Sequence, residues 1–247
     1  MRLTDLSIIL PTLNEQGNIL PLIRTINQRY HPLEILIVDD NSTDGTGALV
    51  KQYMGKKKTV TLIENNPPLG LTASLQQGID SAKGKFVLWM DADFSHPPEI
   101  IGSMTEQIQN ADIVVGSWLT PGGEDNREMI VKLFSRMINV VCQICFGKSI
   151  HAYTSGFILV RKSVFKDFRL KGDYGEYCIY FLAKQQAMGR KIVEVPFACV
   201  SRQNGKTKTA PNISVFLKHG AGYVKTIIFL LVSINIYKIQ RSVLNRG

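Results

Sequence analysis

Acidic residues gather where apolar runs stop. Leu6-Ser7-Ile8-Ile9-Leu10 leads into Pro11-Thr12-Leu13-Asn14-Glu15, Glu34-Ile35-Leu36-Ile37-Val38 into Asp39-Asp40, and Lys85-Phe86-Val87-Leu88-Trp89-Met90 into Asp91-Ala92-Asp93. Short unbroken apolar runs of this kind read as strands buried in a parallel sheet. In such sheets ligands bind beyond the carboxyl ends of the strands. Carboxylates grouped at one rim repel and raise one another's pKa unless a cation sits among them. A hard divalent cation shared with a diphosphate answers that repulsion, because Mg²⁺ takes one or two carboxylates together with substrate phosphates. Asp91 and Asp93 form the candidate pair. The competing reading of Asp93 is a cap for a helix starting near Pro97.

The elements that must position these residues alternate. After the first run, Ile19, Leu22, Ile23 and Ile26 recur at helical spacing. After the second, Ser42-Thr43-Asp44-Gly45-Thr46 is rich in capping residues and leads into a helix through Leu49, Val50 and Tyr53. Val60-Thr61-Leu62-Ile63 predicts a strand and Leu71 to Ala82 a helix. Further strands are expected at Ile113-Val114-Val115-Gly116, Phe157-Ile158-Leu159-Val160 and Ile192-Val193-Glu194-Val195, with Pro121 to Asn126 as a polar loop. Met129 to Phe146 predicts a helix that is apolar apart from a narrow stripe of Lys132, Arg136, Asn139 and Gln143. Alternation of strand and helix implies parallel pairing with right-handed crossovers.

The 247 residues allow one large α/β domain with a short appendage, and 45% hydrophobic content excludes a disordered chain. The net charge of +9 suits an anionic partner. Basic residues accumulate in the C-terminal third without an RNA motif or zinc-finger spacing, which favours phosphate and membrane over nucleic acid. Cys142 and Cys145 form a single C-x-x-C among apolar neighbours; with Cys178 and Cys199 they read as buried free thiols of a reducing compartment. The chain opens on a strand-like run with no secretory-signal pattern, so a cytosolic protein able to sit on a membrane is expected.

Three segments, in order and spacing, resemble the family 2 glycosyltransferases: Ile9 to Glu15, Val38 to Thr46, and Asp91-Ala92-Asp93-Phe94-Ser95-His96-Pro97-Pro98-Glu99. Asp-Ala-Asp followed by His-Pro-Pro-Glu is similar to the polyprenyl-phosphate branch, the dolichol-phosphate-mannose-synthase-like enzymes. Thr154-Ser155-Gly156-Phe157, Gly172 to Tyr177 and Ser201 to Lys208 extend the likeness up to the C-terminal tail. It implies a GT-A fold: α/β, Rossmann-like, a mainly parallel sheet with helices on both faces over residues 1–211. A membrane-associating, amphipathic helical tail would follow at 212–247. It also implies inverting transfer of a hexose, mannose favoured, from a nucleotide-diphosphate sugar to a polyprenyl phosphate on the cytoplasmic face of a membrane. The donor would be GDP-mannose, with a UDP-hexose as the other possibility.

The resemblance implies residue roles as well. Pro11, Leu13, Glu15, Val38 and Asp40 would line the nucleotide. Asp91, Ala92 and Asp93 would carry the diphosphate, with Asp91 and Asp93 holding Mg²⁺ or Mn²⁺. Ser135, Arg136, Arg202 and Lys208 would grip the acceptor phosphate, which suits arginine and lysine as donors. The chain departs from the pattern at Trp118, where arginine is usual, at Ser95, where glutamine is common, and at Ala152, where aspartate is usual. Arg127 is a candidate to supply the cation missing at Trp118.

A phosphate monoester acceptor is largely ionised near neutral pH, its second pKa being about 6, and needs no strong base. A sugar hydroxyl acceptor does need one, and Glu176 is then the candidate. A silent nucleotide-sugar-binding protein is the reading from another class, opposed by the intact Asp91 and Asp93. The tail from Ile213 to Tyr237 is strongly apolar, but its charge-free part, Thr226 to Tyr237, falls short of the roughly 20 residues of a spanning helix. Lys218 and Lys225 on one face, with Tyr223, Tyr237, Lys238 and Arg241, suit a helix at headgroup level. A C-terminal helix packed on the core, and a re-entrant or oligomerising segment, are the other readings.

Overall fold

The computed structural model describes residues 3–32, 34–55, 59–204 and 213–244. The first half is a run of strand–helix units: β1 (Leu6–Thr12), α1 (Ile19–Tyr30), β2 (Glu34–Asp39), α2 (Thr46–Met54), β3 (Val60–Glu64), α3 (Leu71–Ser81), β4 (Phe86–Trp89) and α4 (Ile101–Gln107). Then come β5 (Ile113–Ser117), β6 (Glu124–Asn126), α5 (Met129–Phe146), β7 (Ile158–Arg161), α6 (Glu176–Ala187), β8 (Ile192–Pro196), β9 (Ala198–Val200) and α7 (Ile213–Leu244).

Seven strands form one sheet in the order β3-β2-β1-β4-β7-β5-β8. Their side chains alternate between two layers. Ile8 and Leu10 enter the core beneath α1 and α4, with Leu22, Ile26, Ile101 and Met104; Ile9 enters the other, with Leu75, Ile79, Phe181 and Leu230. This period of two is what a strand covered on both faces requires. Alternation implied parallel pairing; β7 departs from it and runs antiparallel to both β4 and β5. β7 enters from the loop after α5 and so crosses the sheet in the opposite sense. The polar stretch read as a loop supplies β6, which pairs in parallel with β9 and matches Asn126 to Val200.

Two helices depart from ordinary amphipathic logic. On α5 the polar stripe turns partly inward. Asn139 is fully buried, donating to Thr154 Oγ1 at 2.8 Å and to the Ser135 carbonyl at 2.8 Å, and Gln143 donates to the His151 carbonyl at 3.1 Å. The apolar side faces out, with Met129 77% and Ile144 76% exposed and Ile130, Leu133 and Met137 exposed beside them. Among the described residues α5 is the helix long and apolar enough to cross a membrane, by length and composition. The 32-residue α7 packs against α6 and α5 and places Ile227, Leu230 and Ile234 in the core, while Val224, Ile228, Phe229 and Val232 stay exposed. Of the readings kept for the tail, core packing holds along that face.

Leu230 is fully buried and Ile228 is 58% exposed, only two residues apart. Leu230→Ala should therefore lower unfolding free energy by about 2–4 kcal/mol in a urea titration. Ile228→Ala should change it by less than ~0.5 kcal/mol. Equal small effects would show that α7 adds nothing to the fold.

Candidate active site

Two loops at the ends of β1 and β2 are laced together before any acidic group is placed. Asn14 and Asn41 take left-handed backbone conformations, φ 53° and 67°, that asparagine tolerates. Ser42 Oγ accepts from the Asn14 amide at 2.8 Å, and the Thr43 and Gln16 amides donate to Asn14 Oδ1 and Asp44 Oδ2 at 2.8 and 2.9 Å. Asp39 takes Ser42 Oγ at 2.6 Å and Thr12 Oγ1 at 3.0 Å. Asp40 takes the Leu69 and Gly70 amides at 2.8 and 2.9 Å and Ser74 Oγ at 3.0 Å. Burial opposes ionisation of Asp40, but these donors, with Asn65, outweigh it and hold the carboxyl below its ordinary value. Asp40 thereby braces the turn between β3 and α3. Val38 and Ala92 are core side chains, while Leu13 stands 41% exposed and Pro11 half-buried at the rim.

Asp91 and Asp93 follow β4 in a tight turn. Ser95 donates to Asp93 Oδ1 through Oγ at 2.6 Å and through its amide at 3.0 Å. Ser95 thus orients a carboxylate where a longer amide would itself reach for a ligand. His96, buried and stacked on Phe157 at 5.1 Å between ring centres, accepts the Asp91 amide on Nδ1 at 3.0 Å. That bond leaves the imidazole proton on Nε2 and fixes the turn from below. Gly156 comes close beneath: a Cβ there would stand 3.4 Å from Tyr177 Oη and 3.7 Å from His96 Cε1. Tyr177 Oη in turn accepts from Trp89 Nε1 at 3.1 Å, so the end of β4 is pinned to α6.

The loop after β9 closes over this rim. Arg202 Nη2 donates to both oxygens of Glu15 at 2.8 and 2.9 Å, and its Nη1 lies 3.8 Å from Asp93 Oδ2. The Gln203 amide donates to the Asp93 carbonyl at 3.0 Å, and Asn204 and Asn18 exchange hydrogen bonds. A residue expected on the acceptor thus meets a residue expected on the nucleotide. Lys208 falls outside the described residues.

Desolvation raises the Asp91 carboxyl above its ordinary value, Asp93 and Glu15 push it further, and Arg202 pulls it down. The rim is therefore short of positive charge around a half-exposed carboxylate. Among the described residues no three His, Cys, Asp or Glu side chains converge into a cage. Two carboxylates at one strand end fit Mg²⁺ or Mn²⁺ completed by a diphosphate.

Other expected residues fall elsewhere. Ser135 faces inward and accepts from Arg127 Nη2 at 3.2 Å. Arg136, one residue on, is exposed. Glu176, expected in a loop, is the buried first residue of α6; its carboxylate accepts the Asp173 and Tyr174 amides at 2.8 and 3.2 Å and so braces the helix start. Sequence reasoning passed over His96 and Asn18 as site residues; His96 sits inside the quoted motif, but its role as a brace depends on the stacked Phe157, distant in sequence. All four cysteines are free.

Asp93→Asn removes one charge and leaves its Ser95 contacts able to form. Mn²⁺ binding followed by electron paramagnetic resonance should weaken roughly 10- to 100-fold, with the melting temperature nearly unchanged. Wild-type affinity in this variant would remove Asp93 from the metal site.

The sequence profile of Glycosyl transferase family 2 matches residues 7–169. The chain is 34% identical over 220 residues to a dolichol-phosphate mannosyltransferase of Pyrococcus furiosus, covering 86% of this chain and 62% of the relative. It is 31% identical to a polyprenol monophosphomannose synthase of Mycolicibacterium smegmatis, covering 81% of this chain and 79% of the relative. The chain thus spans under two thirds of the length of the Pyrococcus protein. Among solved structures it superposes on a mannosyltransferase from Pyrobaculum calidifontis in complex with GDP-Man and Mn²⁺, with TM-score 0.65, 18% identity, 91% of this chain and 64% of that one. It also superposes on glucosyl-3-phosphoglycerate synthase of Mycobacterium tuberculosis in complex with Mn²⁺ and UDP-glucose, with TM-score 0.66, 16% identity, 93% of this chain and 79% of that one. The fold is the GT-A fold, and the chain belongs to glycosyltransferase family 2.

Proposed function

We propose that the protein transfers a hexose, mannose favoured, from a nucleotide-diphosphate sugar to a polyprenyl phosphate at the cytoplasmic face of a membrane. The observation that carries this reading is a juxtaposition. Helix α5 presents Ser135 to the polar cluster beside β9 and turns Met129, Ile130, Leu133, Met137 and Ile144 outward. Exposed apolar surface on this scale marks a contact with a partner or membrane, and an acceptor whose phosphate is carried on a hydrocarbon chain needs both environments at one place. The names of the Pyrococcus and Mycolicibacterium relatives support a lipid phosphate and mannose, and GDP-mannose is the donor we favour over a UDP-hexose. Four free cysteines support the reducing, cytoplasmic side.

The chemistry on this reading is a single displacement. An oxygen of the acceptor phosphate attacks the anomeric carbon, the bond from that carbon to the donor diphosphate breaks, and the configuration inverts. The acceptor is already an anion near neutral pH, so no residue has to remove a proton. The difficulty is bringing two anions together. Asp91 and Asp93 would hold Mg²⁺ or Mn²⁺, which when bound neutralises charge on the leaving diphosphate. Arg202, together with Lys208, would offer guanidinium and ammonium to the acceptor phosphate. Leu13, Pro11, Glu15 and the backbone at Val38 and Asp40 would line the nucleotide. Glu176, engaged with two amides, has no proton to remove on this route.

The deciding assay supplies the enzyme with Mn²⁺, a panel of nucleotide sugars, and either a polyprenyl phosphate or saccharide acceptors. Glycolipid and free nucleoside diphosphate in equal amounts are expected, from GDP-mannose fastest. Transfer confined to saccharide hydroxyls would overturn the reading. For the membrane face, Ile130→Asp together with Leu133→Asp should release the protein from vesicles containing acidic phospholipid, because a charge in an apolar contact is costly. Both positions are exposed, so thermal stability should be unaffected. Undiminished sedimentation with vesicles would rule α5 out as the membrane contact.

A further inference from the structure

Arg127 is a largely enclosed guanidinium that the proposed reaction has not used. Its side chain is 19% exposed. Its Nε and Nη2 donate to the two oxygens of Asp125 at 2.8 and 2.7 Å, and Nη2 also reaches Ser135 Oγ at 3.2 Å. Its carbon centre lies 4.5 Å from the Trp118 ring centre. A fork held on one edge by a carboxylate and on one face by an indole has a fixed plane. Its Nη1 donates to no described residue, so two N–H groups of a charged, immobilised donor remain available. The Trp118 indole N–H is buried without a partner, so position 118 holds the stacking platform and offers no accessible donor itself.

The placement of this fork follows from the small second sheet. β6 and β9 pair in parallel up to Asn126 and Val200. Arg127 and Ser201 therefore leave the ladder side by side, and Arg202 is one residue further. Cys199, opposite Asp125 in that ladder, senses the same group of charges. Burial pushes its thiol up to about 12, Arg127 pulls it down, and Asp125, Asp91 and Asp93 add to the rise. By the ladder register Arg127 leaves β6 beside the strand end from which Arg202 reaches Glu15 and Asp93, and α5 begins two residues after it.

We infer that Arg127 is an acceptor-binding residue of this enzyme: its Nη1 edge takes an anionic oxygen of the acceptor phosphate while Asp125 and Trp118 hold its plane and Ser135 stands beside it. This rests on the lipid-phosphate reading above and deepens it by naming the residue that receives the phosphate from the α5 side, opposite Arg202. The phosphate then lies between two guanidiniums carried on neighbouring strand ends. Two such charge-assisted contacts suit a dianion better than one.

The test compares wild type with Arg127→Gln and Arg127→Lys in detergent-solubilised full-length protein. A short-chain polyprenyl phosphate serves as acceptor, and KM for acceptor and donor are measured separately. Arg127→Gln should raise the acceptor KM roughly 10- to 100-fold, the cost of one hydrogen bond to a charged group, and leave the donor KM within about twofold. Arg127→Lys keeps the charge but loses the fork, and should fall between wild type and Arg127→Gln. An unchanged acceptor KM overturns the inference, and so does an equal rise in donor KM, which would assign Arg127 to the diphosphate. If Arg127→Gln does not fold, Arg127→Lys decides alone: a raised acceptor KM at wild-type melting temperature supports the inference, and an unaltered one overturns it. Failure of the underlying reading is visible separately, as wild-type enzyme that makes no glycolipid from any lipid phosphate.

Discussion

Carboxylates crowded at one edge of a sheet repel, and much of the polar construction around this site answers that repulsion. Glu15, Asp91 and Asp93 approach one another because β1 and β4 are neighbours in a parallel ladder and end at the same edge. Each receives a different compensation. Glu15 is gripped by Arg202 from 187 residues away in sequence, and Asp93 Oδ1 by its own Ser95. Asp91, held only by its surroundings, keeps a raised carboxyl. The position left least compensated is the one where a divalent ion brings most relief.

The Arg202–Glu15 pair has a second consequence. Both side chains are largely buried, at 13% and 7% exposure. Taking one partner away from such a pair leaves a charge in a poor solvent, so the pair holds the loop after β9 over the rim even with no substrate present. The Gln203 amide on the Asp93 carbonyl and the Asn204–Asn18 hydrogen bonds tie the same segment to the rim.

Helix α5 illustrates a different economy. An amphipathic helix normally buries its apolar side, yet here Asn139 and Gln143 are spent on the backbone of the 151–154 segment while the apolar side is left outward. The apolar layer on that side comes from α6 and α7 together with Ile138, Cys142, Cys145 and Phe146 of α5. What the loop between α5 and β7 lacks is hydrogen-bonding partners, which the polar stripe provides. The exposed side belongs to the same helix that carries Ser135 to Arg127.

The order of strands and helices in the first hundred residues was legible in the sequence, because a buried strand must be apolar throughout and a covering helix must repeat at 3.6. The acidic turns after Leu10, Val38 and Met90 were legible for the same reason: a polar residue next to such a run can only stand at its end. Antiparallel β7 was not, since Ile158-Leu159-Val160 is equally apolar in either direction and only its neighbours β4 and β5 set its sense. Nor was the short pairing of β6, whose residues are polar, with β9, which lies about 70 positions away. Residue type and the family resemblance could single out Glu176 and Arg202 as chemically capable residues. Only the tertiary structure decided that Glu176 spends its carboxylate on the start of a helix and that Arg202 faces Glu15, because partners so placed are chosen by packing between distant segments, which no local periodicity records.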